Sequence, residues 1–242
     1  AAEGELKRVS VEVDWKGEIG AISRKVLARQ GPALLFENIK DHRDTISTRL
    51  FTGGIATKGR IAMMLGMPRE TPMRDLVEVV RQRAKHPLEP VMVEGGPVKE
   101  NVIKGGDIDL FQFPVPRWHH LDGGRYINTF CAVITRDPET GIRNVGLYRG
   151  AILSKDEIGV LLVPGQGWGI HYLKYQQMGK PMPVAIAYGC DESLVFSAST
   201  AFPRDADEFG ITGALIEEPM KLVKCENVDL EVPANSEMVV EG

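Results

Sequence analysis

The stretch that most restricts the fold is Thr135–Arg149, T-R-D-P-E-T-G-I-R-N-V-G-L-Y-R. Asp137, Pro138 and Gly141 separate the apolar run Cys131-Ala132-Val133-Ile134 from the alternating Val145 and Leu147, so the segment reads as two strands joined by a tight reversal. The far strand carries an amide, a phenol and a guanidinium at Asn144, Tyr148 and Arg149. Adjacent side chains on it point to opposite faces.

The remaining chain supplies elements on either side of this hairpin. Glu5–Val13 alternates as a strand, Ile19, Ile22, Val26 and Leu27 recur at helical spacing up to a glycine stop at Gly31, and Ala33–Phe36 is a short buried strand. This βαβ order predicts an α/β unit. Thr57 caps a helix running to Met64 and ending at Gly66, and Thr71-Pro72 opens another with Leu76, Val79 and Val80 inward. Val91–Glu94 is a strand. From Asn101 onward short strands and turn residues dominate, which places a domain transition near Gly105. Ile158–Val163, Val184–Tyr188, Val223–Cys225 and Met238–Val240 are strands, Ile170–Met178 is a short helix, and Asp205 or Asp207 starts a helix containing Phe209, Ile211 and Leu215. Periodicity alone thus gives an α+β chain in two parts.

Composition excludes several classes. The 242 residues are 43% hydrophobic and 26% charged, as in a globular chain, and the net charge of −4 with dispersed Lys and Arg offers no footprint for nucleic acid or an anionic membrane. No apolar run is long enough to cross a bilayer and the first residues lack the order of a signal peptide, so the expected location is cytoplasmic. Cys131, Cys190 and Cys225 have no C-x-x-C spacing and read as small buried hydrophobes.

N-V-G-L-Y-R at Asn144–Arg149 resembles the N-x-G-x-Y-R signature of UbiD-type decarboxylases, which use prenylated flavin mononucleotide. Further blocks follow the order of that family: Gly31–Asn38, Gly106–Leu110, G-G-R-Y-I-N-T at Gly123–Thr129, F-P-R-D-A-D-E from Phe202 to Glu208, and Leu222–Glu237. The resemblance implies an amino-terminal α/β domain (1–105) and a split β-barrel that binds prenylated FMN (106–242). It implies a reversible, non-oxidative decarboxylation of an aromatic or α,β-unsaturated carboxylic acid. A flavin prenyltransferase would supply the cofactor, and the full-length chain would be a homo-oligomer.

The same resemblance assigns residues. Asn144 and Glu208 match metal ligands, where a hard divalent ion, Mn²⁺ or Mg²⁺, joins amide and carboxylate oxygens to the cofactor phosphate. Taken as residues alone, Asn144 flanks a turn and Glu208 is a first-turn helix acid. Ser199 and Thr129 are contributors to the phosphate or to a monovalent cation site, K⁺, or else plain strand-end hydroxyls. Leu147, Tyr148, Gln166, Gly167 and Trp168 would line the cofactor. Arg149 is the catalytic residue, a permanently charged fork suited to a carboxylate. The sequence departs from the family at the third metal ligand: relatives often carry a histidine where Gln166, Gly167 or Trp168 stands, and His171, a few residues on, reads equally as a structural histidine. The family's proton-donating acid is expected beyond Gly242, with the oligomerising domain, so the chain reads as an amino-terminal portion. A rival expectation is a chain that binds flavin phosphate and metal without turnover. An ordinary flavin reductase fits less well, because no G-x-G-x-x-G follows a strand.

Overall fold

The computed structural model describes residues 3–203 and 205–242; Ala1, Ala2 and Arg204, the last inside the F-P-R-D-A-D-E motif, lie outside them. The amino-terminal unit is the expected βαβ. Strand β1 (Leu6–Val9) runs parallel to β2 (Ala33–Phe36), with Leu6 opposite Ala33 and Val9 opposite Phe36, and β3 (Leu50–Thr52) adds antiparallel to β2. Helix α1 (Glu18–Ala28) crosses between β1 and β2, burying Ile19 against Leu34, Phe36 and Ile39. The predicted stop at Gly31 works differently from expectation. Gln30 takes the left-handed conformation at φ 51°, while Gly31 is needed for closeness, since a Cβ there would meet Val26 Cγ1 at 2.7 Å.

Helix α2 (Lys58–Met64) begins at Thr57, whose hydroxyl accepts the Arg60 N–H, and closes at Gly66 with φ 68°. Helix α3 (Met73–Arg83) starts at Pro72, and Thr71 does not cap it: its hydroxyl turns back to the Pro68 carbonyl at 2.6 Å. After α3 comes β4 (Val91–Met92). Upstream of the transition expected near Gly105, β4 already pairs parallel with β10 (Lys221–Lys224), which is antiparallel to β11 (Glu231–Pro233).

The hairpin forms as predicted. Strands β5 (Ala132–Arg136) and β6 (Arg143–Gly146) pair antiparallel, with Thr135 opposite Asn144 and Ile134 opposite Val145. They continue through β7 (Gly150–Ile152), β8 (Ile158–Val160), helix α4 (Gly167–Gln177), β9 (Ala185–Tyr188), helix α5 (Glu192–Ala198) and helix α6 (Glu208–Ile216), and the chain closes with β12 (Met238–Glu241). The four-stranded sheet has the order β12-β9-β5-β6, so β6 is an edge. Among the described residues the strands make four open sheets and no closed barrel; the architecture is a mixed α/β fold.

Helix α5 departs from the reading of Ser199 as a strand-end hydroxyl, because Ser199 ends a helix. Asp191 caps it by accepting the Ser193 N–H at 2.9 Å, and Leu194 and Val195 turn into the core. Helix α6 joins the two parts. One side packs Ile211 and Leu215 on Ala62, Leu65 and Leu76; Phe209 enters the core of Ala132, Ile134 and Val145. Arg83 donates to the carbonyls of Leu65 and Leu215 at 2.7 and 2.6 Å and so satisfies the last turns of two helices. His42 is buried. Its Nε2 lies 3.0 Å from the Arg125 guanidinium, which also donates to the carbonyls of Val115 and Phe113 and stacks over Trp15. Burial pushes the thiols of Cys131, Cys190 and Cys225 up to about 12, so all three remain protonated hydrophobes.

Candidate cofactor and metal site

The site is built around the free edge of β6. Strand alternation sends Arg143 and Val145 to one face and Asn144 to the other. Helix α6 covers the first face, where Phe209 packs with Val145. Helix α4 covers the second, where His171 Nδ1 meets the hydroxyl of Thr135, the residue opposite Asn144, at 3.0 Å. The edge between the helices has no strand partner, so a backbone N–H there must find another acceptor. Glu208, the first residue of α6, supplies it: the Val145 N–H donates to Glu208 Oε2 at 3.1 Å.

That contact brings the carboxylate to the peptide that joins Asn144 to Val145. Burial pushes the Glu208 carboxyl up to about 7, against the N–H groups of Glu208 and Val145; Asp207 adds to the rise and Arg143 opposes it. A half-buried carboxylate with one strand N–H as its hydrogen-bonded partner is a strong acceptor for a cation. The Asn144 amide is held on the other side. Its Nδ2 donates to the Tyr148 phenol at 3.1 Å and the phenol donates to Oδ1 at 3.3 Å, while the phenol also receives the Trp168 N–H at 3.4 Å. Tyr148 and Trp168 stack with ring centroids 4.3 Å apart and planes 6° from parallel. Carboxylate and amide oxygens are the hard donors that Mn²⁺ or Mg²⁺ takes, but no group of three or more His, Cys, Asp and Glu that could hold a metal ion occurs among the described residues, so an ion held by Asn144 and Glu208 would need phosphate or water to complete its shell.

Glycines alternate at Gly165, Gly167 and Gly169, and two of the three have a physical reason. A Cβ on Gly167 would lie 1.9 Å from Asn144 Oδ1, and one on Gly169 would lie 2.0 Å from the Val163 carbonyl oxygen. Helix α4 therefore begins three residues earlier than the sequence predicts, because these glycines let its first turn press against β6 and the loop before it. Gly165 has open space and no such constraint. His171 is committed as a structural residue: with Nδ1 on Thr135, its Nε2 lies 4.0 Å from Asp137, which Lys174 holds at 2.7 Å. Its pKa is lowered, first by burial.

Tyr148, Gly167 and Trp168 thus belong to this corner, whereas among the described residues Leu147, Arg149, Gln166, Ser199 and Thr129 make no hydrogen bond to Asn144 or Glu208. Leu147 to Arg149 lie in the link between β6 and β7, not in the far strand itself. Arg149 is exposed and makes no hydrogen bond or ion pair with the described residues. Gln166 is the exposed residue before α4. Ser199 ends α5, where its hydroxyl donates to the Phe196 carbonyl at 2.8 Å. Thr129 donates to the Tyr126 carbonyl at 2.6 Å and accepts from Trp118 Nε1 at 2.9 Å. The sequence reading missed the charged group flanking the corner: Arg143 pairs with Asp207 at 2.7 Å and with Glu231 at 3.3 Å. The available signal was that Arg143 and Asp207 each immediately precede a candidate ligand.

Comparison with known proteins decides the lineage. Residues 90–242 match the profile of the 3-octaprenyl-4-hydroxybenzoate carboxy-lyase Rift-related domain, and residues 1–80 match that of the corresponding N-terminal domain. The chain belongs to the UbiD family. Among UbiD-family relatives, a pyrrole-2-carboxylic acid decarboxylase of Pseudomonas aeruginosa is 35% identical over 99% of this chain and 50% of its own length. A phenolic acid decarboxylase of Bacillus subtilis is 36% identical over 99% and 51%. The chain thus spans about half the length of the curated relatives it matches. The vanillic acid decarboxylase of Sedimentibacter hydroxybenzoicus in closed form superposes with a TM-score of 0.93 at 34% identity, over all of this chain and 52% of that one. The UbiD-class enzyme HmfF of Pelotomaculum thermopropionicum in complex with FMN gives 0.90 at 33%, over 100% and 52%. No helix among the described residues is long and apolar enough to cross a membrane.

Proposed function

We propose that the protein is a reversible, non-oxidative carboxy-lyase for an aromatic or α,β-unsaturated carboxylic acid. In this reading prenylated FMN is held through a divalent cation, Mn²⁺ or Mg²⁺, at Asn144 and Glu208, and residues 106–242 serve as the split-barrel, flavin-binding half. The observation that carries the reading is the Val145 N–H to Glu208 bond, which sets a cation-seeking carboxylate beside the Asn144 peptide. When bound, the cofactor supplies an electron sink for the carbon that loses carbon dioxide.

The chain's own residues do the rest. Asn144 and Glu208 would hold the cation through their oxygens, and Tyr148 restrains the Asn144 amide by engaging both of its ends. Arg149 has its guanidinium free to grip the substrate carboxylate with two parallel N–H donors and orient it for cleavage. Ser199 and Thr129 spend their hydroxyl protons on neighbouring carbonyls, which leaves oxygen lone pairs for K⁺ or water rather than donors for phosphate. Gln166, Gly167, Trp168 and Leu147 would border the cofactor. A flavin prenyltransferase is the source of that cofactor, and the whole protein is a homo-oligomer.

The test is to reconstitute the gene product with prenylated FMN and Mn²⁺ and follow carbon dioxide release from aromatic and cinnamic-type acids. Release is expected from the parent and should be lost in Arg149→Ala with folding unchanged, because Arg149 is exposed and has no side-chain partner among the described residues. An Arg149→Ala variant as active as the parent would overturn the role of that residue, and a parent that binds cofactor and metal without releasing carbon dioxide would overturn the reaction.

A further inference from the structure

We propose that Arg143 and Asp207 form a positioning clamp that sets the separation of Asn144 and Glu208, a step that rests on the metal reading above. The two candidate ligands come from elements far apart in sequence, and each is preceded by one member of an ion pair. Arg143 donates through Nη2 to Asp207 Oδ2 at 2.7 Å, tying the start of β6 to the start of α6. Asp207 holds the helix through its other oxygen: Oδ1 accepts the Phe209 N–H at 3.2 Å and caps α6. One carboxylate therefore fixes the first turn that carries Glu208 and anchors that turn to the strand that carries Asn144.

The clamp is braced from behind. Arg143 Nη1 donates to Glu231 Oε2 at 3.3 Å, and Arg136 donates to both oxygens of Glu231, at 2.8 and 2.6 Å. The guanidinium of Arg143 also lies over the Phe209 ring, 5.3 Å from its centroid, so it is restrained by packing and by charge. Side-chain exposures of 21% for Arg143 and 16% for Glu231 place these charges in partial shelter from solvent, unlike the other partner of Arg136, Asp229, which is 94% exposed. Arg143, Arg136, Asp207 and Glu231 balance to zero formal charge. The sheltered part of the group therefore brings no net charge to offset Glu208, and Asp229 at its exposed end adds a negative one. Arginine fits this role better than lysine, because its fork reaches Asp207 and Glu231 from one rigid plane.

Mn²⁺ titration of the apo-protein by electron paramagnetic resonance, with no turnover required, tests the clamp. Asp207→Asn keeps the capping oxygen and removes the charge; Arg143→Lys keeps the charge and removes the fork. Each is expected to weaken Mn²⁺ binding roughly 10–100-fold, the range for partners that orient a metal ligand. Each should also erode preference for Mn²⁺ over the larger Ca²⁺, a change that simple destabilisation would not produce. Asn144→Ala and Glu208→Gln serve as references. If those two abolish binding while Asp207→Asn and Arg143→Lys keep parental affinity and selectivity, the clamp is overturned alone. If Asn144→Ala and Glu208→Gln bind Mn²⁺ as the parent does, the metal reading fails and takes the clamp with it.

Discussion

The β6 corner and the two hydroxyls Ser199 and Thr129 were assigned by the same kind of sequence motif, yet the fold treats them differently. Glu208 reaches across 63 residues to Val145, and the Asn144 amide, bonded to Tyr148 four residues on, is also packed against Gly167 of α4. Ser199 and Thr129 bond to carbonyls three residues away. A side chain fixed by tertiary contacts has its geometry specified by the whole fold, whereas one fixed by its own turn would sit the same way in many settings. The contrast predicts that substitutions at the corner act on both stability and metal binding, and substitutions at the hydroxyls on neither by much.

The largest expected effect concerns Glu208. With its pKa near 7 in the folded protein and an ordinary value of 4.5 unfolded, the folded state holds a proton that the unfolded state has released between those values. Stability of the apo-protein should therefore be greatest below about pH 4.5 as far as this group is concerned and fall as pH rises to about 7, by at most on the order of 3 kcal/mol. Thermal melts across that window, with chelator present, should show the slope; Glu208→Gln should remove it, and Mn²⁺ should reverse it. A slope unchanged in Glu208→Gln would break the electrostatic side of the comparison.

Gly167→Ala comes next. The added methyl would sit on Asn144 Oδ1, so a loss of about 1–3 kcal/mol is expected, together with weaker Mn²⁺ binding, although alanine ordinarily favours a helix over glycine. Denaturant unfolding measures the first and metal titration the second; a stabilised variant would show that α4 does not press on the amide. Tyr148→Phe removes the shared phenol and should cost about 1 kcal/mol, with the Tyr148 and Trp168 stack retained in near-ultraviolet circular dichroism. Ser199→Ala is the smallest: a change within about 0.5 kcal/mol and parental Mn²⁺ affinity. If Ser199→Ala matched Gly167→Ala on either measurement, the distinction between the two groups would be lost.

Local patterns carried much of this fold. The apolar run Ala33–Phe36, the Thr57 cap and the Asp137–Gly141 reversal needed only neighbouring residues, and each matches the structure. Helix α5 was hidden because L-V-F is a strand-like run; what makes it a helix is the Asp191 cap and burial of its apolar side, and burial is not written in the run. His42 lay hidden for a related reason, since the arginine that covers it is 83 residues away. At the site, the family motif pointed to Asn144 and Glu208, but not to the ion pair behind them. Arg143 and Asp207 are 64 residues apart, and as a lone arginine and a lone aspartate neither differs from the surface charges elsewhere in the chain.

The open side of β6 has one more consequence. A strand whose outward amide hydrogens face solvent is a template on which another molecule's extended segment can assemble, and proteins guard such borders by several means. Here the guard is an acidic side chain arriving from a helix, seated on the Val145 amide where an incoming strand would dock. The group offered for ligand capture thereby also closes this amide to an incoming strand, so Glu208→Ala is expected to aggregate sooner than the parent on storage, as light scattering would show.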